Sequence, residues 1–214
     1  MHDDVHVRVM ITRGIKKTPS QDPRLTLSGP NIVIIAEHKK ASPQTKKNGI
    51  TLFTSSIRRG SPDYLDPRLN CHSKLHEVQA LIQAIEAGAD EALMLDIHGF
   101  VSTCNATNFF IIKDDEVWTS TGQYCMNGIT RGKIISICEN KKIPCKQKNF
   151  SLFDVYAADE AFVTGSFGGI TPVTKIDGRI IGKGKFGKLS KKLNNLYEQL
   201  IEDEITQKKT NARG

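Results

Sequence analysis

Long apolar runs are missing from this sequence. No stretch approaches the roughly 18 to 20 apolar residues of a membrane-spanning helix, and the opening Met1-His2-Asp3-Asp4 has neither the basic start nor the apolar stretch of a secretory signal. Paired cysteines are missing too. The five present (Cys71, Cys104, Cys125, Cys138, Cys145) are odd in number, scattered through apolar segments and never spaced Cys-x-x-Cys. That pattern argues against a disulfide framework and against zinc, and it favours a reduced, cytoplasmic setting. Aromatic residues make up only 7% of the chain, with one tryptophan, and they fall at core-like positions. They do not alternate with basic residues as a single-strand nucleic-acid platform requires. The formal charge of +7 is spread over short pairs such as Lys16-Lys17, Lys39-Lys40 and Lys141-Lys142. It supports an anionic ligand only weakly, and neither nucleic acid nor membrane is expected as a partner.

What is present suffices for a folded protein: 214 residues with 38% hydrophobic content can bury a substantial core. Residues 5–12 are rich in β-branched side chains, 31–37 form a short apolar run fit for a buried strand, and 50–55 resemble a third strand. The three together suggest a small sheet. Asp66-Pro67 ends that region, and Ser73 is placed to cap a helix with apolar positions Val78, Leu81, Ile82 and Ile85, stopped by Gly88. Further strands are expected at 91–95, 108–113, 117–119, 162–164 and 171–176, with turns at Asp114-Asp115 and Asp177-Gly178. Helices are expected from Gly128 to about Asn140 and from Gly187 to Glu204. Strands outnumber helices without alternating with them, which predicts an α+β chain. Residues 1–68 form a small domain in this reading, 69–205 a larger one, and 206–214 a disordered tail.

Three local features bear on chemistry. Lys74 stands just ahead of a helix, where a cation opposes the dipole; that placement favours a neutral amine, the form that makes an imine. Most lysines so placed are simply solvated. Asn127-Gly128-Ile129-Thr130-Arg131 opens another helix, whose free N–H groups can hold a phosphate. Thr164-Gly165-Ser166-Phe167-Gly168-Gly169 is a small-residue turn after a strand, a place for an anion nest or merely a tight loop.

In order, these features resemble the class IV aminotransferases, the fold type IV group of pyridoxal-phosphate enzymes that includes branched-chain and D-amino acid aminotransferases and aminodeoxychorismate lyase. The likeness is carried by Lys74, "AGADEALMLDIHGFVSTCNATNFFI" (87–111), "NGITR" (127–131), "YAADEAFVTGSFGGITPV" (156–173) and "IDGRIIGKGKFG" (176–187). The resemblance implies a two-domain α+β fold with a larger, mostly β, barrel-like domain, a homodimer, and pyridoxal 5'-phosphate as cofactor. It implies that Lys74 is the Schiff-base lysine, catalytic and cofactor-binding, and that Met126 packs on the cofactor ring. Ile129, Thr130 and Ser166 would hold the phosphate, Phe167 and Gly168 the substrate carboxylate, and Arg8 a distal carboxylate.

Against that pattern, Thr103 stands where the family has a glutamate beside the ring nitrogen, which weakens the electron sink. The family's chains also begin well before the strand at Val5, so part of the small domain is expected to be lacking. The activity expected is transfer of an amino group between an amino acid, branched-chain in type, and a 2-oxo acid. The alternatives are a lyase of the aminodeoxychorismate kind and a cofactor-binding homologue without transaminase activity.

Overall fold

A computed structural model describes residues 4–211; the opening Met1-His2-Asp3 and the last three residues of the expected tail lie outside the described residues. Two compact units are present, divided between Ala41 and Ser42 rather than near residue 68.

In the smaller unit, β1 (Val5–Ile11) pairs antiparallel with β2 (Ile32–His38), Arg8 opposite Ile35. The expectation of burial fails for β2, which is exposed along its whole length. The reason is geometric: a two-stranded ribbon presents both faces unless a further layer covers it. Among the described residues these two strands pair only with each other.

The larger unit begins with α1 (Pro43–Asn48) and β3 (Ile50–Thr54). β3 does not extend the small sheet. It lies parallel to β4 (Glu91–Leu95) on one side and to β10 (Gly169–Ile176) on the other. Between β3 and β4 runs α2 (Leu75–Glu86), and after β4 come β5 (Val101–Cys104), β6 (Asn108–Lys113) and β7 (Glu116–Thr119). α3 (Ile129–Asn140), β8 (Cys145–Gln147), α4 (Leu152–Tyr156) and β9 (Glu160–Gly165) precede β10, with β11 (Arg179–Ile180) and α5 (Lys188–Asn211) last. α5 thus continues past Glu204 into the stretch read as a disordered tail.

The mixed sheet runs β5-β4-β3-β10-β9-β6-β7-β8, with β11 beside β10. β5 and β6 stand far apart in that order although only residues 105–107 join them, so the sheet must curl to bring them together. Strand alternation sorts its side chains into two layers. Phe109 and Ile111 point into one core with Leu93, Val163 and Ile176, while Phe110 and Ile112 face α3 and α5 through Ile134, Cys138 and Leu193. Phe110 and its register partner Phe162 stack with centroids 4.9 Å apart.

α2 corrects two further expectations. Its N-cap is Lys74, with no side-chain cap, rather than Ser73. Its periodic apolar residues Val78, Ile82 and Ile85 are exposed, while Ala80 and Ala84 pack on Ala92 and Met94. Alanine lets the helix axis approach the strand closely, and the bulkier positions are turned outward. Gly88, at φ +72°, ends the helix as expected.

Candidate active site

A cavity of about 370 Å³ opens at the ends of β5 and β6 and is lined by Lys74, Thr103, Met126, Asn70, Arg59 and Asn108 among others. Three of the residues singled out in the sequence, Lys74, Thr103 and Met126, therefore meet in one pocket although they come from well-separated parts of the chain.

Lys74 is held at the mouth by a charge cluster of which the sequence carries little sign. Its Nζ lies 3.7 Å from Glu77 Oε1, which also accepts a hydrogen bond from Arg59 Nη1 at 2.8 Å. Arg59 and Glu77 are both over nine-tenths buried, and Arg59 Nε donates to the Tyr124 carbonyl. His76 sits against both: its Nε2 is 3.2 Å from Arg59 Nη1 and its Nδ1 3.1 Å from Glu77 Oε2. Burial, together with the Arg59 and Lys74 charges, lowers the His76 pKa against the opposing pull of Glu77, which favours the neutral imidazole. The cation at this helix start is thus answered by the helix's own first-turn carboxylate. The spacing Lys74-x-x-Glu77 is a readable signal for that pair; nothing in the sequence marks Arg59 as buried.

Thr103 donates from Oγ1 to the Thr107 carbonyl at 2.7 Å, which leaves its oxygen to act as an acceptor, with Asn108 Nδ2 3.4 Å away. Behind this wall Thr107 Oγ1 donates to Glu91 Oε2 at 2.7 Å. Burial outweighs that hydrogen bond and raises the Glu91 pKa to about 7.

The remaining sequence candidates do not line this cavity. Asn108 links them to it. Its Nδ2 donates to the Met126 carbonyl at 2.9 Å, and its Oδ1 lies 2.5 Å from where a Cβ on Gly128 would sit, so only glycine lets the α3 start approach so closely. Gly128 is the N-cap of α3, which has no side-chain cap and no acidic residue in its first turn. Ile129 is exposed there, whereas Thr130 is buried with its hydroxyl 3.3 Å from Tyr197 Oη. Either hydroxyl can be the donor in that contact.

The other side of Tyr197 approaches Gly169, where a Cβ would lie 3.3 Å from its ring. Tyr197 thus brings the first turn of α3 beside the β9–β10 turn that carries Ser166, Phe167 and Gly168. The end of β9 also comes near the cavity wall: a Cβ on Gly165 would lie 3.5 Å from the Thr107 methyl carbon. Ser166 is exposed and Phe167 43% exposed. The hydroxyl of Thr164, register partner of Asn108, is buried without a hydrogen-bond partner. Arg8 is an exposed residue of β1. No group of three or more metal-binding side chains occurs among the described residues, and none of their helices is long and apolar enough to cross a membrane.

An amine and an apolar thioether thus meet in one pocket, with an open helix start tied to its wall through Asn108. Comparisons with known proteins bear on the family. Residues 2–176 match the family described as Amino-transferase class IV. The chain is 38% identical over 204 residues to branched-chain-amino-acid aminotransferase-like protein 2 of Arabidopsis thaliana, covering 94% of this chain and 36% of that protein. It is 28% identical over 202 residues to a D-alanine aminotransferase of Listeria monocytogenes, covering 94% of this chain and 61% of that one. Among solved structures, a T.th. branched-chain amino acid aminotransferase with pyridoxamine 5'-phosphate superposes with a TM-score of 0.85 at 27% identity, over 91% of this chain and 64% of that one. The chain spans little more than a third of the Arabidopsis relative and under two thirds of the other two. On the family match over residues 2–176, the chain belongs to the class IV aminotransferases.

Proposed function

We propose that this chain binds pyridoxal 5'-phosphate and takes part in amino-group transfer between an amino acid and a 2-oxo acid. The observation that carries this is the meeting of Lys74, Thr103 and Met126 in one cavity, with the uncapped start of α3 tied to its wall through Asn108. The donor set fits the cofactor. Lys74 supplies the amine that would hold its carbonyl carbon, Met126 an apolar face for its ring, and the N–H groups of Ile129 and Thr130 a positive seat for its phosphate. Ser166, in the neighbouring turn, adds a hydroxyl. When bound, the cofactor serves as an acceptor for the electron pair released at the substrate Cα.

The protein's own part is to place a base and exclude competing protons. Lys74, beside Glu77, is positioned to take the Cα proton and return it, and buried Arg59 keeps the Glu77 carboxylate in place. Thr103 offers a hydroxyl oxygen where a carboxylate would hold a proton on the ring nitrogen, so electron withdrawal is weaker and the chemical step slower. Phe167 and Gly168 are assigned to the substrate carboxylate and Arg8 to a second carboxylate. Similarity both to branched-chain and to D-alanine aminotransferases supports an amino-acid substrate; the branched-chain type is our preference, on Arg8 and the wording of residues 87–111. A homodimer in the cytoplasm belongs to the same reading.

The test is to incubate the purified chain with pyridoxal 5'-phosphate, reduce with borohydride and map the modified peptide. The pyridoxyl label is expected on Lys74 and is lost in Lys74→Ala. A label on another lysine, or none, overturns the assignment. Conversion of the bound cofactor by amino donors then distinguishes transfer from lyase chemistry, in which pyruvate is released from an enol-ether-bearing substrate without that conversion.

A further inference from the structure

Between α3 and β8 lies a second cluster of reactive groups to which the proposed transfer assigns no role. Arg131, Ile134 and Cys138 follow one another at i, i+3 and i+7, which puts them on one face of α3. Cys145 and Gln147 are two apart on β8 and share a face of that strand. The two faces meet: Arg131 Nη2 donates to Gln147 Oε1 at 2.9 Å, and Cys145 packs against the core that contains Cys138. The turn between them closes back on the helix, with the Ile143 N–H donating to the Cys138 carbonyl at 2.8 Å. Cys138 and Cys145 thus stand on the two faces that this contact brings together. Arg131 is 4% exposed, and it forms no ion pair among the described residues: its other hydrogen bonds go to the Ser120 carbonyl and to Asn127 Oδ1, and its Nε has none.

We propose that Cys138 and Cys145 form an oxidisable dithiol, with Cys145 the reactive thiolate, Arg131 its counter-charge and Cys138 the resolving thiol. Interaction with the Cys138 thiol, and after it the Arg131 charge, lowers the Cys145 pKa against burial and the carboxylates of Glu139 and Glu116, while interaction with Cys145 and burial raise the Cys138 pKa. Cys145 is partly accessible and Cys138 fully buried, so a small oxidant meets the first and not the second.

With hydrogen peroxide as oxidant, the Cys145 sulfur attacks one oxygen; an S–O bond forms, the O–O bond breaks, and hydroxide leaves to take up a proton as water. The Cys138 sulfur then attacks the sulfenic sulfur. An S–S bond forms, the S–O bond breaks, and the hydroxyl departs as a second water with the Cys138 proton. Two electrons pass from the sulfurs to the peroxide, and the crosslink pins the end of α3 to the edge strand β8.

Stoichiometric peroxide on the full chain, followed by alkylation under denaturing conditions and non-reducing peptide mapping, tests the proposal. The expected product is a Cys138–Cys145 crosslink two hydrogens lighter than the dithiol and reversed by dithiothreitol, with Cys104 and Cys125 alkylated as free thiols. In Cys138→Ser the reaction should stop at a sulfenic acid on Cys145 that dimedone captures. Arg131→Gln should slow alkylation of Cys145 severalfold without changing Cys71. Oxidation of Cys71 while Cys138 and Cys145 remain thiols, or conversion of Cys145 to higher oxides without crosslinking, overturns the proposal; the wild-type map decides this even where a variant fails to fold.

Discussion

Two helices begin beside the same cavity wall and are wired in opposite ways. At the start of α2 a lysine is met by Glu77, and Glu77 is buried against Arg59, so each cation there has a carboxylate within reach. At the start of α3 there is no cap, no acid, and a buried Arg131 in the first turn whose partners are all neutral oxygens. The dipole of α3 is left unanswered and is reinforced by a cation. The difference teaches what each end is suited to hold. In the reading proposed above, the first can carry an amine that changes its proton and the second can seat an anion.

The largest expected effect attacks the balanced end. Glu77→Ala leaves Arg59 buried without its carboxylate and should lower stability by about 3–5 kcal/mol in urea unfolding. Arg131→Met, which removes a cation that forms no ion pair with a carboxylate among the described residues, should cost much less; equal costs would break the contrast.

Next is the pH dependence set by Glu91. Its folded pKa of about 7 lies above the ordinary 4.5, so folding favours the protonated acid. The stability this contributes is present below about pH 4.5 and is lost as pH rises through 7. The penalty at pH 8 amounts to about 3 kcal/mol, at about 1.4 kcal/mol per pKa unit. Glu91→Gln keeps an acceptor for Thr107 and should therefore be the more stable protein at pH 8, by a margin that vanishes near pH 4.5. A constant margin across that range would remove Glu91 as the cause.

Gly128→Ala sharpens the open end. Its Cβ would press on Asn108 Oδ1, and we expect a loss of about 1–3 kcal/mol in melting experiments together with weaker binding of inorganic phosphate. The smallest effect expected is that of Thr103→Glu, which restores a carboxylate at the cavity. It should raise the single-turnover rate with an amino donor about tenfold, equivalent to about 1.4 kcal/mol of barrier. No gain would mean that Thr103 does not face the ring nitrogen.

Much of the larger unit is legible in the sequence because its signals are local. Gly88, the Asp114-Asp115 turn and Asp177-Gly178 all adopt positive φ where the sequence marks turns, and α3 begins at the glycine-threonine junction read from it. β5 and β8 escape such reading: four and three residues long, each is defined by its neighbours rather than by its own pattern. The exposure of Val78 and Ile85 escapes it for a related reason, since periodicity shows that a helix has an apolar stripe but not that alanines can displace it from the core. At the site, single residues with strong wording (Lys74, Thr103, Met126) stand out. Those whose role depends on a distant partner do not: Arg59 acquires its meaning only from Glu77, Asn108 only from Gly128, and Tyr197 only from Thr130 and Gly169.

Synthesis of the chain delivers β3 long before β10. Ile50 pairs with Val173, so one edge of β3 stays open while the chain from α2 to β9 is being made, and its other neighbour β4 is joined in parallel only after α2 has formed. A strand that emerges early from the ribosome and closes its ladder late is a slow step and a site for mispairing, and the nascent chain should depend on chaperones until β10 emerges.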